Sequence, residues 1–538
     1  MKHRFVKSFF FLITILSFSF CAKTGSPEGG PKDEIPPLFV ASTPPYKTTN
    51  FDKNVVKLNF SEYIKLKDLN KQLIVSPPLK NPLSIFPQNT ATKKLKLEIL
   101  DTLKPNTTYI FNFGDAVTDN SEGNVLEAFK YVFSTGNYID SLTTSGNVKD
   151  AFLRETPKKI NVLLYKLDST YNDSIVYKKK PYYVASTLDS TAFNFSNLKE
   201  GNYRVFALKE EINDYIFSPD LEKIGFLADT ISLPKDSIIK KQIVLFKEKK
   251  PYRFRRAKEV SKGKIQFGFE GENIDFTVKL LSYTTGKFKS FSKFEKGKDT
   301  LNYWFTPFEA DSLLFSIKNA NFLDTVTVNL KKQKIDSLKT FASIGNILHL
   351  RDTFYLNTNN PLLSIDTTKI SLTDKDTLSV SFKTYESKKE NKFGILFNLK
   401  PNQKYNITLL PGSFKDIYNI KNDTLNFKFT TKDIEDYGRI TLNIVSEITD
   451  NIILDLIEND KKEKIVERVF LNKSKEVVFD LLEPKKYGVR AIIDSNKNNK
   501  WDTGDYLKNL QPEKIIYFNT ILELRANYYL NETFTLKK

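Results

Sequence analysis

The stretch DSNKNNKWDTGD, residues 494–505, is the one segment whose residue types and spacing match a metal-ligand pattern. Counted from Asp494, side-chain oxygens fall at positions 1, 3, 5, 9 and 12, on Asp494, Asn496, Asn498, Asp502 and Asp505. Position 7 is Lys500, which can offer its backbone carbonyl. Such alternation turns every second residue inward around a hard cation, as in a calcium loop. Three features depart from it. Asn499 stands where the tight turn usually takes Gly, although Asn also adopts the left-handed conformation. Asp505 is shorter than the bidentate Glu common at the last position. The flanks GVRAII and PEKIIYF read as strands, so no helix–loop–helix forms. The same residues also read as an Asx-rich hairpin loop whose side chains cap their own backbone. Calcium is therefore the one ion the sequence nominates, and its role would be to stiffen a loop.

Other chemistry is scarce. The chain of 538 residues has two histidines, His3 and His349, and one cysteine, Cys21. A Ser/His/Asp triad with a histidine to spare, a Cys/His pair and a histidine-rich zinc site are excluded. Carboxylates remain, but among 64 Asp and Glu no pair stands out for glycoside hydrolysis. Trp304 and Trp501 could form a sugar platform, although the apolar neighbours of Trp304 in LNYWFTPF favour the core. The chain reads as non-enzymatic.

What positions these residues begins with an address. In MKHRFVKSFFFLITILSFSF, Lys2, His3, Arg4 and Lys7 precede an apolar run over 9–20, too short for a comfortable membrane span. The segment resembles a bacterial lipoprotein signal ending at Cys21, with Phe20 standing where such signals usually carry Gly, Ala or Ser. The resemblance implies acylation of Cys21, attachment to a membrane through an N-terminal lipid anchor, and a place in the outer membrane or at the cell surface. A lipidated thiol needs no disulfide partner, which accounts for a lone cysteine. Several acyl chains would hold firmly where a single chain binds marginally. Residues 22–37, AKTGSPEGGPKDEIPP, form a Gly/Pro-rich tether. Export removes nucleic acid as a partner despite a net charge of +18. The basic run KKQIVLFKEKKPYRFRRAKEVSKGK (240–264) reads as a solvated linker and Lys-guarded strand edges at a domain boundary.

Beyond the tether the punctuation is all-β, with short alternating runs such as NVVKLNF, NYRVFAL and TVTVNL between Asn, Asp, Gly and Pro. Repetition organises it. LKPNTTYIFNF (103–113) recurs as LKPNQKYNITL (399–409), each followed by a strand with a Thr-rich stop. FNFSNLKEGNYRVFAL (193–208) recurs as VVFDLLEPKKYGVRAI (477–492). The turn Lys-Pro-Asn feeds a Tyr able to anchor a sandwich corner. The expected division is a signal at 1–20, a tether at 21–37, then sandwiches over 38–137, 138–249, 250–335, 336–433 and 434–538.

The segments IPPLFVASTPPY, VKLNFSEYIKL, LKPNTTYIFNF and TDNSEGN resemble a bacterial Ig-like domain of S-layer and other surface proteins. PEGGPKDEIPP resembles the start of Bacteroidota lipoproteins that carry it. The pattern F-x-x-L-x-x-G-x-Y resembles carboxypeptidase-regulatory or Cna B-type modules, small prealbumin-like sandwiches. The 336–433 copy lacks the Asp…Gly-Asn turn of TDNSEGN. These resemblances imply tandem Ig-like and prealbumin-like sandwiches, joined as a semi-rigid rod, serving as a stalk, scaffold or interaction module. A surface glycan-binding or adhesion protein is the alternative, with envelope proteins or glycans as partners. The recurrent Asp-Ser/Thr-apolar triplets, among them Asp140-Ser141-Leu142 and Asp229-Thr230-Ile231, resemble an O-glycosylation sequon and equally read as turn-to-strand junctions.

Overall fold

The computed structural model describes residues 33–537 except 128, 170, 213, 283–287, 388–389 and 461–462. The signal, Cys21 and most of the tether lie outside the described residues. Strands dominate throughout. Helix among the described residues amounts to the turn Leu69–Gln72 and three short 3-10 segments, and none is long and apolar enough to cross a membrane.

In the first sandwich, alternation along Val55–Leu66 sends Val56, Leu58 and Phe60 inward. That strand pairs with Phe39–Thr43 on one side and Thr92–Glu98 on the other. A second sheet, Ile74–Ser76, Thr108–Gly114 and Phe129–Ser134, closes over it with Tyr109, Phe111, Phe113, Tyr131 and Phe133. The fourth sandwich repeats the plan: Phe354–Thr358 lies between Thr340–Ala342 and Lys392–Leu396, facing Ile370–Thr373, Lys404–Leu409 and Leu425–Thr430.

The repeated motif does the same work in both. Tyr109 Oη accepts the Lys104 N–H at 2.9 Å, and Tyr405 Oη accepts the Lys400 N–H at 3.0 Å. The stop threonines lock the same corner. Thr135 Oγ1 donates to the Lys104 carbonyl at 2.7 Å and Thr431 Oγ1 to the Lys400 carbonyl at 2.6 Å. Asn106 and Asn402 take the left-handed turn, with φ of 48° and 51°. The fourth sandwich, read as degenerate, keeps the essential part of its missing turn. Asp119 accepts four successive N–H groups, from Ser121 to Asn124. Asp416 accepts those of Tyr418 and Ile420 at 2.9 and 2.8 Å.

The second and fifth sandwiches share another topology, each closed by a parallel pair. Ile243–Phe246 runs parallel to Leu142–Asp150, and Tyr529–Leu536 runs parallel to Gly438–Ser446. Tyr203 and Tyr487 donate their hydroxyls to the carbonyls of Lys199 and Glu483, at 2.8 and 2.7 Å. The third sandwich sets Arg253–Ser261, Lys264–Glu270, Thr300–Phe305 and Ser290–Phe294 against Thr277–Leu280, Ser312–Asn319 and Phe322–Asn329.

The basic run 240–264 combines strand and linker: Ile243–Phe246 closes one sheet, and Arg253–Ser261 opens the next. Lys258 and Lys264 lie on strands, while Lys247, Lys249 and Lys250 lie in the connection between the two sheets. One expectation is corrected here: the sandwiches do not string out as a rod. The fifth folds back onto the second, and their residues share one hydrophobic cluster.

Candidate functional site

The contact between the second and fifth sandwiches is made by the Asp/Asn-rich loop and the hairpin that follows it. Tyr506 is 4% exposed and stands among residues of the second sandwich. Its ring centroid lies 5.1 Å from those of Phe206 and Phe226, edge-on to both, and 6.2 Å from Tyr177. Trp501 packs on Phe152 at 4.9 Å and donates Nε1–H to the Glu513 carbonyl at 3.0 Å. Gly504 is required by close approach, since a Cβ there would meet Phe246 Cζ at 2.6 Å and the Leu510 carbonyl oxygen at 2.7 Å.

Hydrogen bonds bracket the inserted ring. Thr503 Oγ1 donates to the Lys247 carbonyl at 2.7 Å, the Tyr506 N–H to the Glu248 carboxylate at 2.7 Å, and Gln511 Nε2 to the Phe226 carbonyl at 3.0 Å. Burial pushes the Glu248 carboxyl up, and the Tyr506 N–H offsets part of that rise.

The predicted ligands divide. Asp494 is buried and accepts the N–H groups of Asn498 and Asn499, both at 3.0 Å. Asn496 Nδ2 donates to Asp502 at 2.7 Å, and Asn498 Nδ2 donates to the same oxygen. Lys249, from the linker between the second and third sandwiches, holds the other Asp502 oxygen at 2.8 Å. Burial raises the Asp502 carboxyl, but the bonds from Lys249, Asn496 and Asn498 outweigh it and bring it down to about 2. Lys500 sends its ammonium to Glu272 of the third sandwich at 2.9 Å. Asp505 pairs with Lys508 at 2.7 Å. Thus Asp494, Asn496, Asn498 and Asp502 converge, while Asp505 and the Lys500 side chain are engaged elsewhere. No group of three or more His, Cys, Asp or Glu is arranged to hold a metal ion among the described residues.

Sequence reading missed Glu513, whose carboxylate caps the loop from below by accepting the N–H groups of Ser495 at 2.9 Å and Asp502 at 3.0 Å. It also missed the ionic cluster behind the loop. Asp455, fully buried, accepts two bonds from Arg468 at 2.6 and 2.9 Å and one from Arg490 at 3.0 Å. Arg490 is 2% exposed, bonds Glu463 at 3.1 Å, and lies 4.5 Å from the centroid of Phe152 of the second sandwich. Tyr517 bridges Glu463 at 2.8 Å and the Phe152 carbonyl at 2.6 Å. No spacing in one strand signals this cluster, because its members lie on separate strands and a loop.

Trp304 is buried at 4% exposure beside Phe291, which removes it as a sugar platform. In the Asp-Ser/Thr triplets, Ser141, Thr230, Ser237, Ser312 and Thr325 are exposed and Ser174 is half-buried.

His349 joins the fourth and fifth sandwiches. One ring nitrogen bonds the Leu481 carbonyl at 2.9 Å, the other accepts the Arg351 N–H at 3.1 Å, and the ring meets Tyr437 edge-on. These partners define a neutral imidazole, and burial holds its pKa below the ordinary value. The unfolded chain therefore binds this proton first as pH falls. Stability from the group is complete above about pH 6.5 and is lost as pH falls through that value towards the folded pKa. Melting curves between about pH 7.5 and pH 5.5 should show this decline, and His349→Gln should flatten it.

The fold and the clasp together define a tandem β-sandwich protein whose first and fourth modules share one plan and whose second and fifth share another. Residues 33–135 match the bacterial Ig-like domain family Big_5. No curated protein matches the chain. Among solved structures, it is similar to native alpha-2-macroglobulin from Escherichia coli over domains MG0-NIE-MG1, at 14% identity, covering 34% of this chain and 71% of that one, TM-score 0.18. The S-layer protein rSbsC(31-844) is 11% identical over 91% of this chain and 68% of its own, TM-score 0.15. The major pilin subunit BcpA of Bacillus cereus is 10% identical over 74% and 100%, TM-score 0.13. At such TM-scores the description of the fold rests on the sheets themselves.

Proposed function

We propose that this protein is a non-enzymatic lipoprotein of the cell envelope, anchored through Cys21, that serves as a clamped structural scaffold. The observation that carries the reading is the shared core of the second and fifth sandwiches around Tyr506. A chain of sandwiches linked only end to end would bend at each junction. Closing the fifth onto the second turns four of them into one braced body, from which the first sandwich projects. Ser76 Oγ of the first sandwich takes both main-chain groups of Val184 in the second, at 3.0 and 3.1 Å, which limits rotation there. Bracing of this kind suits a part that holds position outside a membrane.

The anchor is tested by Cys21→Ser in cells, followed by fractionation. The unmodified protein is expected in the membrane fraction and the variant in the soluble or secreted fraction. A variant that stays with the membrane would remove Cys21 as the attachment. Protease shaving of intact cells then separates an outward-facing scaffold from one on the periplasmic side.

Calcium at Asp494, Asn496, Asn498, the Lys500 carbonyl and Asp502 belongs to this proposal as a loop stiffener. It would have to displace the Lys249 ammonium from Asp502. Bound calcium should raise the melting temperature reversibly with chelator. Identical curves with calcium and with chelator would retire the site and leave the loop held by its own hydrogen bonds.

A further inference from the structure

A groove of about 580 Å3 lies between the first and second sandwiches. One wall is the outer face of the first sandwich, with Asn112 and Lys130 paired across neighbouring strands. The opposite wall carries Ser145, Asn147 and Asn194 on Leu142–Asp150 and Ala192–Leu198. The floor is Tyr183–Ser186, the terminal strand of its sheet.

Among the described residues, Lys130 is the one charged residue lining this groove. It is half-buried and has no carboxylate partner within ion-pair distance among the described residues. Burial lowers its pKa, the sign of an ammonium short of solvent and of a counter-charge. Ser145 is half-buried and Asn147 and Asn194 are exposed, and their side chains make no hydrogen bond to protein among the described residues. Asn112 uses its oxygen for the Gly114 N–H at 3.0 Å and keeps its NH2 free.

We propose that this groove binds an extended peptide bearing a carboxylate, with Lys130 pairing the carboxylate and Asn112, Asn147 and Asn194 reading the peptide main chain. A primary amide carries both a donor and an acceptor, the complement of a peptide unit. The main-chain N–H and C=O of Val184 in the floor are held by Ser76, so the side-chain amides and Lys130 carry the recognition. A peptide is favoured over a glycan because the groove shows no ring face on which a sugar could stack. The lining aromatics, Tyr183, Phe193 and Phe195, are buried in the core of the second sandwich. This inference goes beyond the scaffold reading and does not depend on it: a braced body and a rod would both carry the groove.

The test uses the full chain with Cys21→Ser to avoid detergent. An array of hexapeptides, each bearing a single Asp or Glu, is probed beside twins carrying Asn or Gln, and the best pairs are measured by fluorescence anisotropy. The acidic member is expected to bind at least about tenfold more tightly than its twin, because a charge-assisted bond is lost in the twin. Lys130→Met should abolish that preference, and Asn194→Leu should weaken both twins alike. Melting curves check that each variant folds; if Lys130→Met does not, Lys130→Gln replaces it. Binding that survives loss of the lysine overturns the proposal, as does an array with no binder. Lys130-dependent binding of polygalacturonate without any peptide binder would overturn it in favour of an acidic glycan.

Discussion

Tyr506→Ala is expected to release the fifth sandwich from the second, while Tyr506→Phe leaves the clasp closed. The ring is 4% exposed and makes edge-on contacts with Phe206 and Phe226, two residues that are themselves fully buried. Truncating a large buried aromatic costs about 3–5 kcal/mol, from lost transfer energy and from the cavity left behind. Here that loss falls on a single contact between modules and not on the core of one module, so each sandwich keeps its own fold while the junction opens. The hydroxyl has a different standing. It is buried with no hydrogen-bond partner among the described residues, so removing it deletes a desolvated polar group and should be neutral or slightly stabilising. The pair of variants separates ring from hydroxyl. Hydrogen exchange over residues 494–511 and small-angle scattering read the result: faster exchange and a larger radius for the alanine variant, neither for the phenylalanine one. An alanine variant with unchanged exchange and radius would mean that the ring does not hold the clasp.

The contrast with what the sequence discloses is instructive. Both repeats were legible because each is a local device: a Tyr binds a main-chain group four or five residues earlier, so spacing along one segment records the contact. The alternation read in NVVKLNF likewise holds, with Val56, Leu58 and Phe60 on the inward face, since strand period fixes which face a side chain takes. The loop at 494–505 stood out for its oxygens, which the structure ties to one another and to main-chain N–H groups. Its larger role was hidden because the second-sandwich partners of Tyr506 lie 258 or more residues away, on a module whose surface shows no pattern of its own in sequence. Within DTGDYLKN, Tyr506 looks like any turn aromatic, and Gly504 like any turn glycine. Only the approach of Phe246 explains why that glycine carries no side chain. The rod failed as an expectation for the same reason: covalent order gives neighbours along the chain, and closure depends on a surface match that no single segment encodes.

The ionic cluster behind the clasp should respond asymmetrically to loss of its members. Asp455→Ala is expected to destabilise the fifth sandwich by about 3–5 kcal/mol, because it strands Arg490 as a buried charge deprived of its main partner. Arg490 sits at 2% exposure between Asp455 and the Phe152 ring, so water cannot replace the lost carboxylate without opening the junction. Glu463 offers one remaining bond at 3.1 Å, which is insufficient compensation for a group that desolvated. Arg490→Met should cost far less. Asp455 then keeps both bonds from Arg468, Glu463 keeps the Tyr517 hydroxyl, and a methionine fills much of the vacated volume against Phe152. Replacing a buried ion-pair member by a well-packed apolar side chain is often close to neutral when the partner remains paired. Because Phe152 belongs to the second sandwich, the two variants also differ in reach: the aspartate loss should loosen the junction as well as the fifth sandwich. Chemical denaturation of both variants, followed by exchange at Phe152 and Tyr517, decides the matter. Equal destabilisation by the two substitutions would show that the cluster acts through the arginine alone.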